Sequence, residues 1–281
     1  MSDEIEKHAR SFANASGYLF QWAIRNEIGK GAHAWRLESW EHAWSSRFYE
    51  DSGFADLLVV REERNVSVLL VMECKRHTSQ TWVFHCLEAS NENRLETRCL
   101  LTTHEGSDEF PQVSYPDALI FPGSPESDSC TLRGQGNKSA TELIEREATN
   151  LIRASECIAA EYAIARARAG KHGYPPLYVV PVIVTNAPLS TIRFDPNDVS
   201  LDTGTLPSEM GEVRTVPMVR FRKSLVHRAT PGYLPVSLSG ANQDRERTVL
   251  IMHAPTLTDT LENLEVTYNK PDSTYKMDLT P

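Results

Sequence analysis

Residues 177–185 read LYVVPVIVT, with no charged position and apolar side chains on both alternating faces. An extended run of this kind offers water neither face, so it belongs near the centre of a sheet covered on both sides. Residues 66–74, VSVLLVMEC, have the same character until Glu73. They follow residues 54–61, FADLLVVR, across the polar stretch EERN, which predicts a hairpin whose second strand is central. With helical segments before and between these strands, the expected class is mixed α/β around a central sheet.

The remaining elements are read from periodicity. Residues 3–29 predict a helix carrying Phe12, Leu19, Phe20, Ala23, Ile24 and Ile28, broken or bent near Gly17 and stopped by Gly29 and Gly31. Residues 34–44 fit a helix through Trp40 and Trp44 and a strand through Trp35, Leu37 and Ser39; they are assigned to a strand. Residues 77–140 are irregular and rich in Ser, Pro and Gly, and read as an insertion. Residues 141–169 predict a long helix, capped by Thr141, with Ile144, Ala148, Leu151 and Ile152 on one face. Strands are expected at 215–222 and 248–253, and a short helix at 257–265. The whole is read as one domain, with its core at 3–76 and 141–190, the insertion at 77–140 and a C-terminal extension at 191–281.

A chain of 281 residues can bury such a core without covalent staples. Its five cysteines fit no zinc spacing and are expected to be reduced thiols. The N-terminus carries acids and no apolar signal region, and no apolar run approaches a membrane span, so a cytoplasmic protein without membrane attachment is expected. The net charge of −9 argues against coating nucleic acid or membrane through bulk charge, but leaves room for a local basic groove.

Against this background three charges stand out. Asp56 interrupts the first strand of the hairpin, and Glu73 and Lys75 end the second. A charge in a strand core is costly unless it is paired or bound to a metal. Glu73 and Lys75 are two apart and point to one face, and Asp56 from the partner strand can converge on them. Two neighbouring carboxylates repel, and a hard divalent cation such as Mg²⁺ relieves that repulsion. A lysine beside such an ion can orient a water or stabilise a phosphorane, which is the chemistry of phosphodiester hydrolysis. The bare [Asp/Glu]-x-Lys pattern is common by chance; the strand ending and the upstream G-x-x-D at Gly53–Asp56 supply the context. Without chemistry, the same three charges would be a strand-end salt bridge.

Gly53-Phe-Ala-Asp56 followed by Glu73-Cys-Lys75 resembles the PD-(D/E)xK superfamily of restriction-endonuclease-like nucleases. Ala55 stands where many members carry proline. The resemblance implies a restriction-endonuclease-like core, a central mixed sheet flanked by helices in αβββαβ order, here with an insertion after the third strand. It implies Mg²⁺, with Mn²⁺ as a substitute, held by Asp56 and Glu73, and Lys75 at the attacking water. Many members add an acid from the first helix, for which Glu27 is the match. The stretch SGYLFQ, residues 16–21, is similar to nuclease modules of bacterial anti-phage effectors, those of Lamassu systems and of CBASS systems with a SAVED sensor. That likeness implies a DNA-cutting defence effector restrained by a regulatory protein partner, such as an SMC-like ATPase, or by assembly into a homo-oligomer. The alternative is a catalytically inactive module of the same fold that binds DNA or a partner subunit.

Nucleic-acid contact has its own candidates. Residues 214–228 hold Arg214, Arg220, Arg222, Lys223 and Arg228 and no acid, the best local match to a phosphate-binding stretch; a solvated basic face reads equally well. Gln21 is a further candidate for DNA contact or for a structural role. Trp35, Trp40 and Trp44 could stack on bases but fit a core as well. His77, two residues past Lys75, could line the site.

Overall fold

The uncharged run at 177–185 is the hub of the molecule. The computed structural model describes residues 2–31, 34–46, 50–63, 66–77, 80–87, 95–103, 112–133, 140–168, 175–225, 245–264 and 266–267. In chain order these form α1 (Ser2–Ala15), α2 (Tyr18–Lys30), β1 (Arg36–Ser46), β2 (Asp51–Glu62), β3 (Ser67–Lys75), β4 (Thr81–Leu87), β5 (Thr97–Arg98), β6 (Leu100–Thr103), β7 (Gln112–Ser114), β8 (Asp117–Ile120), β9 (Glu126–Ser127) and β10 (Cys130–Arg133). There follow α3 (Ala140–Arg168), β11 (Leu177–Thr185), β12 (Leu189–Phe194), β13 (Glu212–Thr215), β14 (Met218–Ser224), β15 (Glu246–His253), α4 (Leu257–Glu262) and β16 (Val266–Thr267).

The main sheet is mixed and runs β1-β2-β3-β11-β15-β14-β9, with β6 pairing to β11 and β7 to β6. β3 lies parallel to β11 along its whole length. The other edge of β11 is shared: Leu177–Val179 pair with β6, and Val182–Thr185 pair with β15. Pro181, which has no N–H to give a ladder, falls in the gap between these two pairings.

Both faces of this sheet are covered, as its uncharged centre requires. On one face Ile144, Ala148, Leu151 and Ile158 of α3 pack with Leu58, Leu69, Val71 and Val179. On the other, Ile24 and Ile28 of α2 and Leu257 and Leu261 of α4 pack with Leu70, Met72, Val180 and Leu250. Each large aliphatic side chain withdrawn from water this way contributes about 1.5–3 kcal/mol. The five cysteines form no disulfide. Among the described residues no helix is long and apolar enough to cross a membrane.

The first helix divides at Ser16–Gly17, as the glycine predicts. Residues 36–46 are a strand. Two expectations need correction. Among its described residues the stretch 77–140 carries seven strands, β4 to β10, and is not merely irregular. β4 and β10 join β12 and β13 in a second sheet, and Trp82 and Phe84 of β4 complete the α3-side core. Apart from β4, whose run TWVFHCL is strand-like, the strands of 77–140 are two to four residues long, too short for local periodicity to announce them. The expected strand at 215–222 is two strands, divided at Val216–Pro217, where the proline cannot continue the ladder.

Candidate active site

β2 and β3 stay paired only as far as Leu57 opposite Met72. Beyond that pair the strands part, and the next residues are Asp56 and Glu73. The Asp56 carboxylate fills the opening: Oδ2 accepts the main-chain N–H of Cys74 at 2.6 Å. Across from Asp56 on β1, Glu41 takes a left-handed backbone (φ 47°), so β1 is distorted at the level where β3 parts from β2. β3 itself continues beside β11 until Lys75 lies opposite Thr185, which in turn lies opposite His253 of β15. Three parallel strands therefore end flush at Lys75, Thr185 and His253, at the carboxyl edge where open α/β sheets hold their ligands.

Alternation along β3 puts Glu73 and Lys75 on the face of Leu69 and Val71, under α3. Lys75 Nζ lies 2.9 Å from Glu73 Oε1 and 2.7 Å from Glu147 Oε2 of α3. The second oxygen of Glu147 meets Arg146 Nη2 at 3.1 Å. The cluster thus joins three carboxylates, Asp56, Glu73 and Glu147, to Lys75, with Arg146 at its rim.

Its electrostatics follow from burial and like charge. Burial and the Asp56 carboxylate push Glu73 up to about 6, against the opposing pull of Lys75. Burial also raises Asp56, while the Cys74 N–H and Lys75 work the other way. Burial acts to lower Lys75, but Glu73 and Glu147 outweigh it and leave the ammonium more firmly protonated. Burial likewise opposes ionisation of Glu147, yet its bonds from Lys75 and Arg146 prevail and lower it. Two carboxylates held above their ordinary range beside one engaged lysine are short of positive charge. In kind and charge, Asp56 and Glu73 are the residues that fit a hard cation with oxygen ligands. Among the described residues no set of three or more His, Cys, Asp or Glu side chains is arranged to hold a metal by itself.

His77 sits beside the cluster. Its main-chain N–H donates to Asn186 Oδ1 at 2.7 Å, its ring meets the Trp82 ring edge-on at 5.1 Å, and burial holds the imidazole below its ordinary value.

Glu27 does not join these residues. It is exposed on α2, 3.9 Å from Lys30 Nζ, and accepts from Thr258 Oγ1 at 3.4 Å. The helical acid in the cluster is Glu147 of α3. Reading the sequence alone misses it, because α3 alternates acids and arginines throughout. The available signal is its place three residues after Ile144 and one before Ala148, at the margin of the buried stripe.

Gln21 has a structural role: it is buried, and its amide donates to the Asp56 carbonyl at 3.2 Å. The basic stretch is likewise engaged internally. Arg220, only 3 % exposed, donates to the carbonyls of Ser124 and Glu96 and pairs with Glu126 at 3.6 Å. Arg222 is held by Asp117 at 3.2 Å and Glu246 at 3.0 Å, and Lys223 by Glu145. Arg214 is exposed and paired with Glu212 at 2.6 Å. Arg228 lies outside the described residues. A cleft of about 1230 Å³ is lined by His85, Arg193, Arg214, Arg220, Arg222 and His253 among others, and by no member of the carboxylate cluster. No family model, curated protein or solved structure matches the chain.

Proposed function

We propose that this protein is a metal-dependent phosphodiesterase, an endonuclease of the PD-(D/E)xK type with DNA as its substrate. The observation that carries the reading is the meeting of Asp56, Glu73 and Lys75 at the point where β2 and β3 part. The order α2-β1-β2-β3, then α3 and β11, supports a restriction-endonuclease-like core. Asp56 and Glu73 would hold Mg²⁺ or Mn²⁺, which supplies Lewis-acid stabilisation of phosphate charge when bound. The chain's own residues do the rest. Glu147 and Glu73 hold the Lys75 ammonium at a fixed place on the α3 face, where it can orient a water or stabilise negative charge on the scissile phosphate. Glu147 positions Lys75 from the helix.

The test is plasmid cleavage by wild type and Lys75→Ala with Mg²⁺, Mn²⁺ or EDTA. Cutting that needs metal and disappears in the variant supports the reading. A wild type that never cuts, with or without candidate partners, sinks it. The further proposal that the enzyme is a restrained anti-phage effector, held by a partner such as an SMC-like ATPase or by its own oligomerisation, rests on the likeness of residues 16–21. Full-speed cutting by the isolated protein removes its motivation.

A second reading has one observation in its favour: Lys75 already has two carboxylate partners, as a purely structural clasp would. In that case the protein is an inactive module that binds DNA or a partner subunit, and Asp56→Ala with Glu73→Ala leaves its binding intact.

A further inference from the structure

Of the three neighbouring tryptophans, the fold leaves only Trp40 in the open. Trp35 is buried with its indole N–H on the Leu261 carbonyl at 2.9 Å, and Trp44 is buried against Gly53. Trp40 is 44 % exposed, and the Arg25 guanidinium of α2 lies 4.4 Å from its ring centre. Among the described residues Arg25 makes no ion pair, so its cation rests on the ring alone. Tyr18, Trp22 and Arg25 follow one another at helical spacing on α2, and both rings are more than half exposed. Phe54 of β2 is 67 % exposed. One exposed ring needs no explanation; two exposed rings beside Arg25 on α2, a ring of β1 under that same cation and a further exposed ring on β2 do.

That end is the one where Asp56 stands. Gln21, between Tyr18 and Trp22 in sequence, donates to the Asp56 carbonyl. Phe54 is two residues from Asp56, and Trp40 pairs with Leu57, the residue after it.

We infer that Tyr18, Trp22, Trp40 and Phe54, with Arg25, form a stacking platform for the unpaired bases of a single-stranded nucleic acid. The inference rests on the nuclease reading for its biological sense and names the form of its substrate. Every base has a π face to stack, whereas a duplex keeps those faces hidden within its own helix. A platform with one cation, on a chain of net charge −9, draws its affinity from stacking more than from phosphate neutralisation. Its binding is therefore only shallowly dependent on salt.

The test is fluorescence anisotropy of a labelled oligothymidylate and of a labelled blunt duplex with the full chain in EDTA, where no metal-dependent cutting occurs. The single strand should bind more tightly than the duplex, and Trp22→Ala and Trp40→Ala should each weaken it roughly tenfold while melting like wild type. Equal affinity for duplex, or a steep salt dependence with unchanged binding in both variants, overturns the platform. So does a result in which the variants change the oligomeric state by light scattering and leave oligonucleotide binding unchanged, because the face is then a protein interface. Platform-dependent binding by a protein that never cuts would uphold the platform while the nuclease reading failed.

Discussion

Glu147 reaches Lys75 at 2.7 Å and so ties the end of a central strand to the helix that covers it. Neither residue holds this geometry alone, because Lys75 also faces Glu73. Glu147→Gln keeps the shape and removes the charge. Under the nuclease reading it should lower kcat roughly tenfold to hundredfold through misplacement of the ammonium, with a smaller change in KM. Glu27→Gln, on the exposed part of α2, should leave both constants at wild-type values. Steady-state cleavage of a labelled substrate checks the pair.

Lys75→Ala has a structural consequence separate from activity. It leaves Glu73 and Glu147 facing each other and Asp56 with no cation between them. The lysine side chain is about one quarter exposed, so the cost should be below that of a fully buried pair, about 2 kcal/mol. Urea denaturation should show a lower midpoint at unchanged slope. Added Mg²⁺ should recover part of the loss if Asp56 and Glu73 bind it.

Glu73 sets a pH dependence whose sign is fixed by its displacement. Folded, the carboxyl keeps its proton up to about 6; its ordinary value is 4.5. Between these values the native state binds more protons than the unfolded chain, so stability falls as pH rises. The advantage is complete below 4.5 and lost above about 6, a difference of about 2 kcal/mol. Glu73→Gln should flatten this slope and raise the melting temperature at pH 7.5 without metal. Under the nuclease reading cleavage needs the ionised carboxylate, so kcat/KM should fall as pH drops through about 6.

Arg220 and Arg222 are expected to be stability residues. Removing either guanidinium strands carbonyl or carboxylate partners; those of Arg222 are partly exposed, so Arg222→Ala should cost less than breaking a fully buried pair, about 2 kcal/mol. A variant that melted normally yet lost oligonucleotide affinity would instead return this stretch to the nucleic-acid surface.

These assignments show which parts of the molecule local sequence can reveal. β3 and β11 are legible because a strand buried on both faces leaves no choice of residue type. The break at Gly17 and the two carboxylates with Lys75 are legible because each violates its local pattern. Glu147 and the roles of Arg220 and Arg222 are not, because their partners come from distant segments. Glu126 is in β9, Asp117 in β8 and Glu246 in β15, and no local spacing records that they meet. Trp40 and Trp44 illustrate the same limit: the left-handed residue Glu41 between them shifts the alternation, so one ring is buried and the other open.

Gly53 is the first letter of the G-x-x-D pattern, yet it is constrained by a neighbour rather than by a turn. A methyl group placed there would come within 3.1 Å of the Trp44 ring across the ladder. The two positions are therefore coupled in related chains: replacing the glycine at 53 requires the ring at 44 to give by a few tenths of an ångström or to be exchanged for a smaller side chain. Where a descendant of this sequence has lost that glycine, a displaced ring or a smaller residue should stand opposite it, and the aspartate three positions on can persist unaltered.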